Sequence, residues 1–265
     1  MTTDLLEEII TKEKGDKYVR TFRDTNDIHT KGDIVQAMQL AALTLKSLNG
    51  LFLPSYDIHL KSLEIEPKMV TRYGEPIYFQ PQSDRINPRD VITAYGKKKV
   101  GENICLEVRA VYDSKLDIKK SAAREQDLLQ KQRGEKTVYS INASKEDYES
   151  FCDSINLPLQ HAESEPLKRL FLASFVAGAL CNYINPKDII QGGRVPIWAK
   201  QTFLFYKFPD SDSSTVDIFL KPLKNSERIA WVKERFCIDD YEVIEGDSIV
   251  MKEDMKKFAE FLENA

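Results

Sequence analysis

Asp24-Thr25-Asn26-Asp27-Ile28-His29 puts a carboxylate and an imidazole within one short polar stretch. A carboxylate accepts a proton and an imidazole accepts or donates one near neutral pH, so the pair suits acid–base work on a bound water. The plainer reading is a turn. Asp24 or Asn26 would then bond its own backbone, and His29 would be an exposed polar residue ahead of a helix.

Other chemistry is scarce. There are four cysteines, Cys105, Cys152, Cys181 and Cys237, with no Cys-x-x-Cys pair, and only three histidines. A structural zinc site is not expected, and no metal is assigned. No Gly-x-Gly-x-x-Gly, phosphate-loop lysine motif or nucleophile elbow is present, which disfavours dinucleotide-binding, kinase-like and α/β-hydrolase readings. Gln191-Gly192-Gly193-Arg194 reads as a turn. Lys97-Lys98-Lys99 reads as a solvated basic hairpin tip that could meet phosphates or an acidic carrier. Trp198 and Trp231 fall in expected strands, where core packing accounts for them.

The chain has 265 residues, enough for one large domain or two small ones. With 42% hydrophobic and 30% charged residues, it can bury a core. The net charge of −4 argues against a nucleic-acid partner held by a basic face. Acidic residues follow Met1 where a signal peptide would carry basic ones, so a cytoplasmic location with reduced thiols is expected. The longest apolar stretch, Leu170 to Tyr183, is shorter than the roughly 20 residues of a membrane span and reads as a buried helix.

The periodicity predicts a short amphipathic helix over Asp4–Lys14 and a long one over Asp33–Leu48, stopped by Gly50. Strands are expected at Tyr56–Ile65, Pro76–Gln80, Val91–Tyr95 and Ile104–Tyr112. Ser114 to Lys136 is charged and reads as an exposed linker. A capped helix follows from Ser144 to Ile155, then a helix over Pro166–Tyr183. Strands are expected at Val195–Lys207, Val216–Leu220, Ile229–Val232 and Ser248–Met251. A final amphipathic helix over Glu253–Asn264 would place Met255, Phe258, Phe261 and Leu262 on one side.

A shift of 132 residues lays His29 on His161, Leu40-Ala41-Ala42 on Leu172-Ala173-Ser174 and Leu48 on Leu180. Each half is then a long apolar helix lined with small residues, followed by strands, which points to an internal duplication. Residues 1–114 and 139–265 would be the repeats, and 115–138 the linker. This pattern resembles a tandem (double) hotdog protein, an α+β fold in which each central helix is wrapped by an antiparallel sheet. Glu75–Pro81 and the hairpin Asp90–Asp113 resemble that family's strands, as do Gln201–Pro209 and Val216–Leu220 in the second half.

The resemblance implies chemistry on acyl groups carried as thioesters of coenzyme A or acyl carrier protein, with the carrier as substrate and no cofactor. A helix N-terminus would polarise the thioester carbonyl. Asp24 to His29 resembles the Asp-x-Asn-Pro-hydrophobic-His segment of R-specific enoyl-CoA hydratases, which implies Asp24 and His29 as catalytic and Asn26 as substrate-binding. The segment departs from that family in having Arg23 for Gly, Asp27 for Pro and Val35 for a small residue. His29-Thr30-Lys31-Gly32 resembles the helix opening of small acyl-CoA thioesterases, which implies substrate-binding roles for Gly32 and Gln39. Gln39 stands near that family's acid; it cannot be a general base, but it can orient a water or bond a carbonyl. In the second half Phe171 takes the place of Gln39. His161 and Glu163 could contribute from across the pseudo-dimer, as polyketide dehydratases divide their residues, although that family's pattern around the His is absent.

The expected function is therefore an acyl-thioester hydratase or dehydratase, ahead of a thioesterase. The alternative is a non-catalytic acyl-thioester-binding or assembly protein. A tyrosine-dependent acyltransferase or decarboxylase using Tyr56 or Tyr73 is a third possibility. The chain would act as a monomeric pseudo-dimer or a homodimer.

Overall fold

Strict alternation of burial makes the strands. Along residues 104–113, Val108, Ala110 and Tyr112 are buried while Glu107, Arg109 and Val111 are not. Along 229–238, Ala230, Val232, Glu234 and Phe236 point inward and Ile229 and Trp231 outward. A computed structural model describes residues 6–52, 59–84, 91–97, 104–113, 115–120, 137–158, 165–184, 193–208, 215–239, 241–254, 256–258 and 260.

The first part of the chain runs β1 (Leu6–Ile9), α1 (Lys12–Thr21), α2 (Asp27–Thr30), α3 (Ala37–Phe52), β2 (His59–Pro67), β3 (Pro76–Asp84), β4 (Val91–Lys97) and β5 (Ile104–Asp113). It continues through β6 (Lys119–Lys120), β7 (Thr137–Asn142), α4 (Lys145–Ser154), α5 (Glu165–Ile184), β8 (Arg194–Phe205), β9 (Thr215–Asn225), β10 (Ile229–Ile238) and β11 (Tyr241–Asp254). The strands form one antiparallel sheet in the order β1-β3-β4-β5-β2-β8-β11-β10-β9-β7, with β6 attached to β11. Read inward from its two ends, that order is the same pattern twice. The halves meet where β2 pairs β8, with Ser62 opposite Leu204 and Ile65 opposite Gln201.

The central helices α3 and α5 touch one another, α3 packing on β2 to β5 and α5 on β2 and β8 to β10. By length and composition alone α5 could cross a membrane, but most of its residues, from Pro166 to Ile184, are buried against sheet and neighbouring helices. Apolar length here serves a core, as the sequence predicts. Helix α1 lies over α4 and α5. Phe22, Phe151, Phe171 and Phe175 pack ring to ring between them, and the Tyr18 hydroxyl donates to Ser174 Oγ at 2.8 Å. Gly178 makes this approach possible, because a Cβ there would sit 2.1 Å from the carbonyl oxygen of Phe22.

Several expectations change. The Asp4–Lys14 helix is instead β1 followed by α1, because Leu6–Ile9 add to the edge at β3 and Thr11, not Asp4, caps the helix. Trp231, expected in the core, stands on the outer face of β10, since it alternates with buried Ala230 and Val232. Strand β11 continues to Asp254, where a helix is expected from Glu253; Lys256, Lys257 and Phe258 are helical, while Met255, Phe261 and Leu262 lie outside the described residues. Within the expected linker, Lys119 and Lys120 form β6, and Lys119 Nζ bonds Glu242 at 2.9 Å and Glu245 at 2.6 Å. Residues 121–136 lie outside the described residues, as do Tyr56, Lys98, Lys99, His161, Glu163, Gln191 and Gly192. Gly193, at φ +68°, leads into β8, and Arg194 pairs with Glu227 and donates to the Lys252 carbonyl.

Candidate active site

The turn after α1 folds the polar motif onto itself. The Asn26 backbone N–H donates to Asp24 Oδ1 at 2.8 Å, and the Ile28 N–H donates to Asn26 Oδ1 at 3.2 Å. These side-chain turns lead into the single turn α2, where the Asn26 carbonyl accepts from the N–H groups of His29 and Thr30. That turn swings His29 back over Asp24, Nδ1 to Oδ2 at 2.8 Å. The turn and the close approach of the pair coexist, one geometry building the other, and His29 is not the exposed residue that the plain turn reading expects.

The rest of the structure holds this turn in place. Asn182 of α5 donates to the Arg23 carbonyl at 2.7 Å and accepts from the Thr25 N–H at 3.0 Å and hydroxyl at 2.6 Å. Lys12 Nζ donates to the carbonyls of His29 at 3.2 Å and Gly32 at 2.8 Å, beneath the end of α2. Arg23 has φ 54°, in the left-handed region that favours glycine, at the position where the hydratase motif carries one.

Asp24 is buried and its carboxylate accepts three contacts: the Asn26 N–H, His29, and Gln36 Nε2 at 2.5 Å from Oδ2. Gln36 immediately precedes α3, its carbonyl accepting the Leu40 N–H, and it lines the site. Sequence reading selected Gln39 instead. Gln36 precedes the helix while Gln39 lies within it, and the two face different ways: Gln39 Nε2 donates to the Ser154 carbonyl at 3.0 Å, beside α4 and away from Asp24. Gly32 also lies off the main site. Its carbonyl is held by Lys12, and it borders a smaller cavity with Ile28, Asp33, Ile34 and Arg72. Residues 31–36 are not helical, so the free N–H groups of the first turn begin at Ala37 rather than near Gly32. Tyr73 does not line the dyad's cavity; its ring lies where a side chain on Gly15 would stand.

Asn26, His29, Gln36, Ala37 and Leu40 open onto a largely apolar cavity of about 370 Å³. Pro67 to Thr71 wall it from the first half, and Pro196 to Trp198, Met251 and Glu253 from the second. The cavity therefore sits at the junction of the halves, at the N-terminus of a 16-residue helix. Trp198 is part of its wall rather than only core packing. Lys68 and Lys257 also border it.

Cys181 of α5 completes the neighbourhood. Asp24, His29 and Cys181 each offer one atom to a common point, all within 4.8 Å of one another. Burial, with the Asp24 carboxylate close by, pushes the Cys181 thiol well above its usual range. That favours the neutral thiol while no ion is bound. Carboxylate, imidazole, amide and thiol meet there as a hydrogen-bonded cluster.

The start of α5 differs from that of α3 in what surrounds it. Around the N-terminus of α5 lie His59 of β2, Tyr112 of β5 and the chain after β8. Arg169 projects there, pairs with Glu165, donates to the Tyr206 carbonyl at 2.6 Å and stacks 4.3 Å from the centre of the Phe208 ring. Under the 132-residue shift Arg169 replaces Ala37, so a guanidinium stands where the first half has a small residue.

The fold is an α+β double hotdog, two long helices each wrapped by an antiparallel sheet. No protein-family model and no curated protein matches the sequence. Solved structures match along nearly the whole chain. A MaoC-like dehydratase superposes with a TM-score of 0.61 at 9% identity, covering 95% of this chain and 96% of that one. A putative oleoyl thioesterase from Lactobacillus plantarum gives 0.59 at 8% identity, covering 93% and 95%. HtdX from Mycobacterium tuberculosis gives 0.57 at 10%, covering 93% and 99%. At such identities the likeness is one of fold.

Proposed function

We propose that the protein is an acyl-thioester hydratase or dehydratase. The observation that carries this reading is the Asp24–His29 pair, 2.8 Å apart, at the mouth of an apolar cavity next to the N-terminus of α3. The dehydratase and thioesterase names of the matched structures agree with a thioester substrate, carried on coenzyme A or acyl carrier protein.

The chemistry follows from the geometry. His29 Nδ1 is engaged by Asp24, leaving Nε2 to hold a water. In hydration, the water oxygen bonds the β-carbon of a 2-enoyl thioester while its proton passes to Nε2. The double-bond electrons move to the thioester oxygen, where the first-turn N–H groups of α3 stabilise the enolate. The α-carbon then takes the proton back from His29, and water has been added across the double bond. Dehydration is the reverse. Asp24 orients the ring and balances the imidazolium; Gln36 and the Asn26 N–H fix Asp24 in turn.

Hydrolysis of the thioester is supported less well. The thioesterase alignment needs a general base near Gln39, which is a glutamine turned towards Ser154. A purely binding protein has no need of a paired acid and base at its cavity.

The test is hydration of 2-enoyl-CoAs and dehydration of 3-hydroxyacyl-CoAs by the purified chain, repeated with acyl carrier protein thioesters. Asp24→Asn and His29→Ala should each lower turnover by about 10²–10⁴-fold while binding persists. Binding without turnover in the unsubstituted protein supports the non-catalytic alternative. Turnover that survives both substitutions refutes the assigned residues.

A further inference from the structure

Four side chains able to ligate a metal converge where α2, α3 and α5 meet. Asp24 and His29 come from the turn after α1, Gln36 from the residue ahead of α3, and Cys181 from near the end of α5 in the other half. One carboxylate oxygen, one ring nitrogen and the sulfur lie within 4.8 Å of one another. Asp24 Oδ2 is 2.8 Å from His29 Nδ1 and 2.5 Å from Gln36 Nε2, which is 3.8 Å from Cys181 Sγ. No second group of three His, Cys, Asp or Glu side chains gathers in this way among the described residues. No sequence spacing records the set, because its members come from separate elements.

Hydrogen bonding leaves the cluster incomplete. Gln36 is 1% exposed, and its Oε1 finds no hydrogen-bond partner among the described residues. Folded proteins leave few such atoms. A half-turn about the last side-chain bond exchanges the two amide atoms and brings the oxygen to face Asp24 and Cys181. Two oxygens so placed repel unless a cation lies between them. The space suits a small ion. Tetrahedral zinc, with nitrogen and oxygen at 2.0–2.2 Å and sulfur at 2.3 Å, sets its ligand atoms about 3.3–3.6 Å apart. The separations here, from 2.8 Å up to 4.8 Å, bracket those values, so shifts of about 1 Å are enough. Carboxylate and thiolate together balance a double positive charge, which burial demands, and thiolate with imidazole suits zinc better than magnesium or calcium. His29 and Gln36 line the cavity, which gives an ion its way in.

We infer that Asp24, His29, Gln36 and Cys181 form an inhibitory site for zinc or a similarly thiophilic divalent cation. On binding, Asp24 Oδ2, His29 Nδ1, Gln36 Oε1 and Cys181 Sγ become the ligands, and the thiol proton leaves to solvent. Nδ1 gives up the proton it shares with Asp24, and the neutral ring carries that proton on Nε2 instead. Nε2 is the atom that must take a proton from the attacking water. The bound ion therefore turns the base into a donor and stops hydration, as a regulator of the reaction and not a participant in it. The inhibition rests on the hydratase reading above; the cation site does not.

The experiment titrates the full chain, first stripped with a chelator, with zinc chloride by calorimetry and with cobalt chloride by absorption. Hydration of a 2-enoyl-CoA is followed in parallel, with magnesium chloride as control. The expected result is one zinc ion per chain, a thiolate-to-cobalt charge-transfer band, and hydration that zinc stops and chelator restores. Cys181→Ser should weaken zinc binding by at least about 100-fold, since losing even an outer partner of a metal site costs roughly 10–100-fold. It should also abolish the charge-transfer band and leave hydration running in zinc, because Cys181 takes no part in the hydration steps. Cys181→Ala replaces it if the serine variant does not fold. Absence of the band, zinc binding unchanged in the Cys181 variants, or bound zinc that leaves turnover intact each overturn the inference and leave the hydratase reading standing. A charge-transfer band that needs Cys181, in folded protein that hydrates no 2-enoyl thioester, upholds the cation site while the hydratase reading fails.

Discussion

At the residue scale, the site depends on a chain of short contacts that ends at His29. Asp24 is fixed by Gln36 and by the Asn26 N–H, and the turn carrying it is clamped by Asn182 from the other half of the molecule. Asn182→Ala should lower turnover by about 10–100-fold through misplacement of the pair, with a much smaller effect on substrate binding. Separate measurement of kcat and KM checks this; a change confined to KM would contradict it. Because the proposed steps use only Asp24, His29 and the first-turn N–H groups of α3, activity should also survive exhaustive chelation, as a metal-free assay would read directly. The sequence made Asp24 and His29 legible because their chemistry is written in adjacent residues. It misplaced Gln39 because the first residue of the helix, and hence which glutamine faces the cavity, depends on how residues 31–36 cross over the sheet.

At the element scale, the close contact between α5 and the end of α1 rests on Gly178. Adding a methyl group there places carbon 2.1 Å from the Phe22 carbonyl oxygen. Gly178→Ala should therefore destabilise the fold by about 1–3 kcal/mol, read as a lowered melting temperature. The sequence shows the α5 segment lined with small residues, as a helix wrapped by a sheet would be. At Gly178 the partner is instead the backbone at Phe22, a contact between segments more than 150 residues apart. Likewise Leu5, Leu6, Ile9 and Ile10 satisfy helical spacing over a short run, yet Leu6–Ile9 form a strand. Pairing with β3 decided the matter, and pairing is a tertiary event.

At the scale of the whole molecule, stability should respond to pH through Glu234. Burial raises its carboxyl from 4.5 to about 8, with Gln201 and Ser248 opposing the shift only in part. The folded protein therefore binds this proton more tightly than the unfolded chain does. Its contribution is fully present below about pH 4.5, falls as pH rises towards 8, and is flat above that. The loss is on the order of a few kcal/mol. Glu234→Gln should remove this slope, so that unfolding curves of the two proteins diverge with rising pH and the variant is relatively more stable at pH 8.5. Parallel curves between pH 5 and 8.5 would show that the carboxyl is hydrated rather than dry.

The sequence by itself determined most of the elements, the two apolar helices that become the cores, the repeated helix-then-strands pattern and the nearness of Asp24 and His29. Those are local properties: periodicity, capping and the chemistry of neighbouring side chains. Only the tertiary structure decided that Gln36 rather than Gln39 supports Asp24, that Asn182 reaches across to hold the turn, and that Arg169 reaches the Tyr206 carbonyl and the Phe208 ring. It also decided that Gln201, Glu234 and Ser248 meet beneath α5. Each is a contact between residues on different elements, most of them far apart in sequence, and no periodicity records which distant residues a folded sheet will bring face to face.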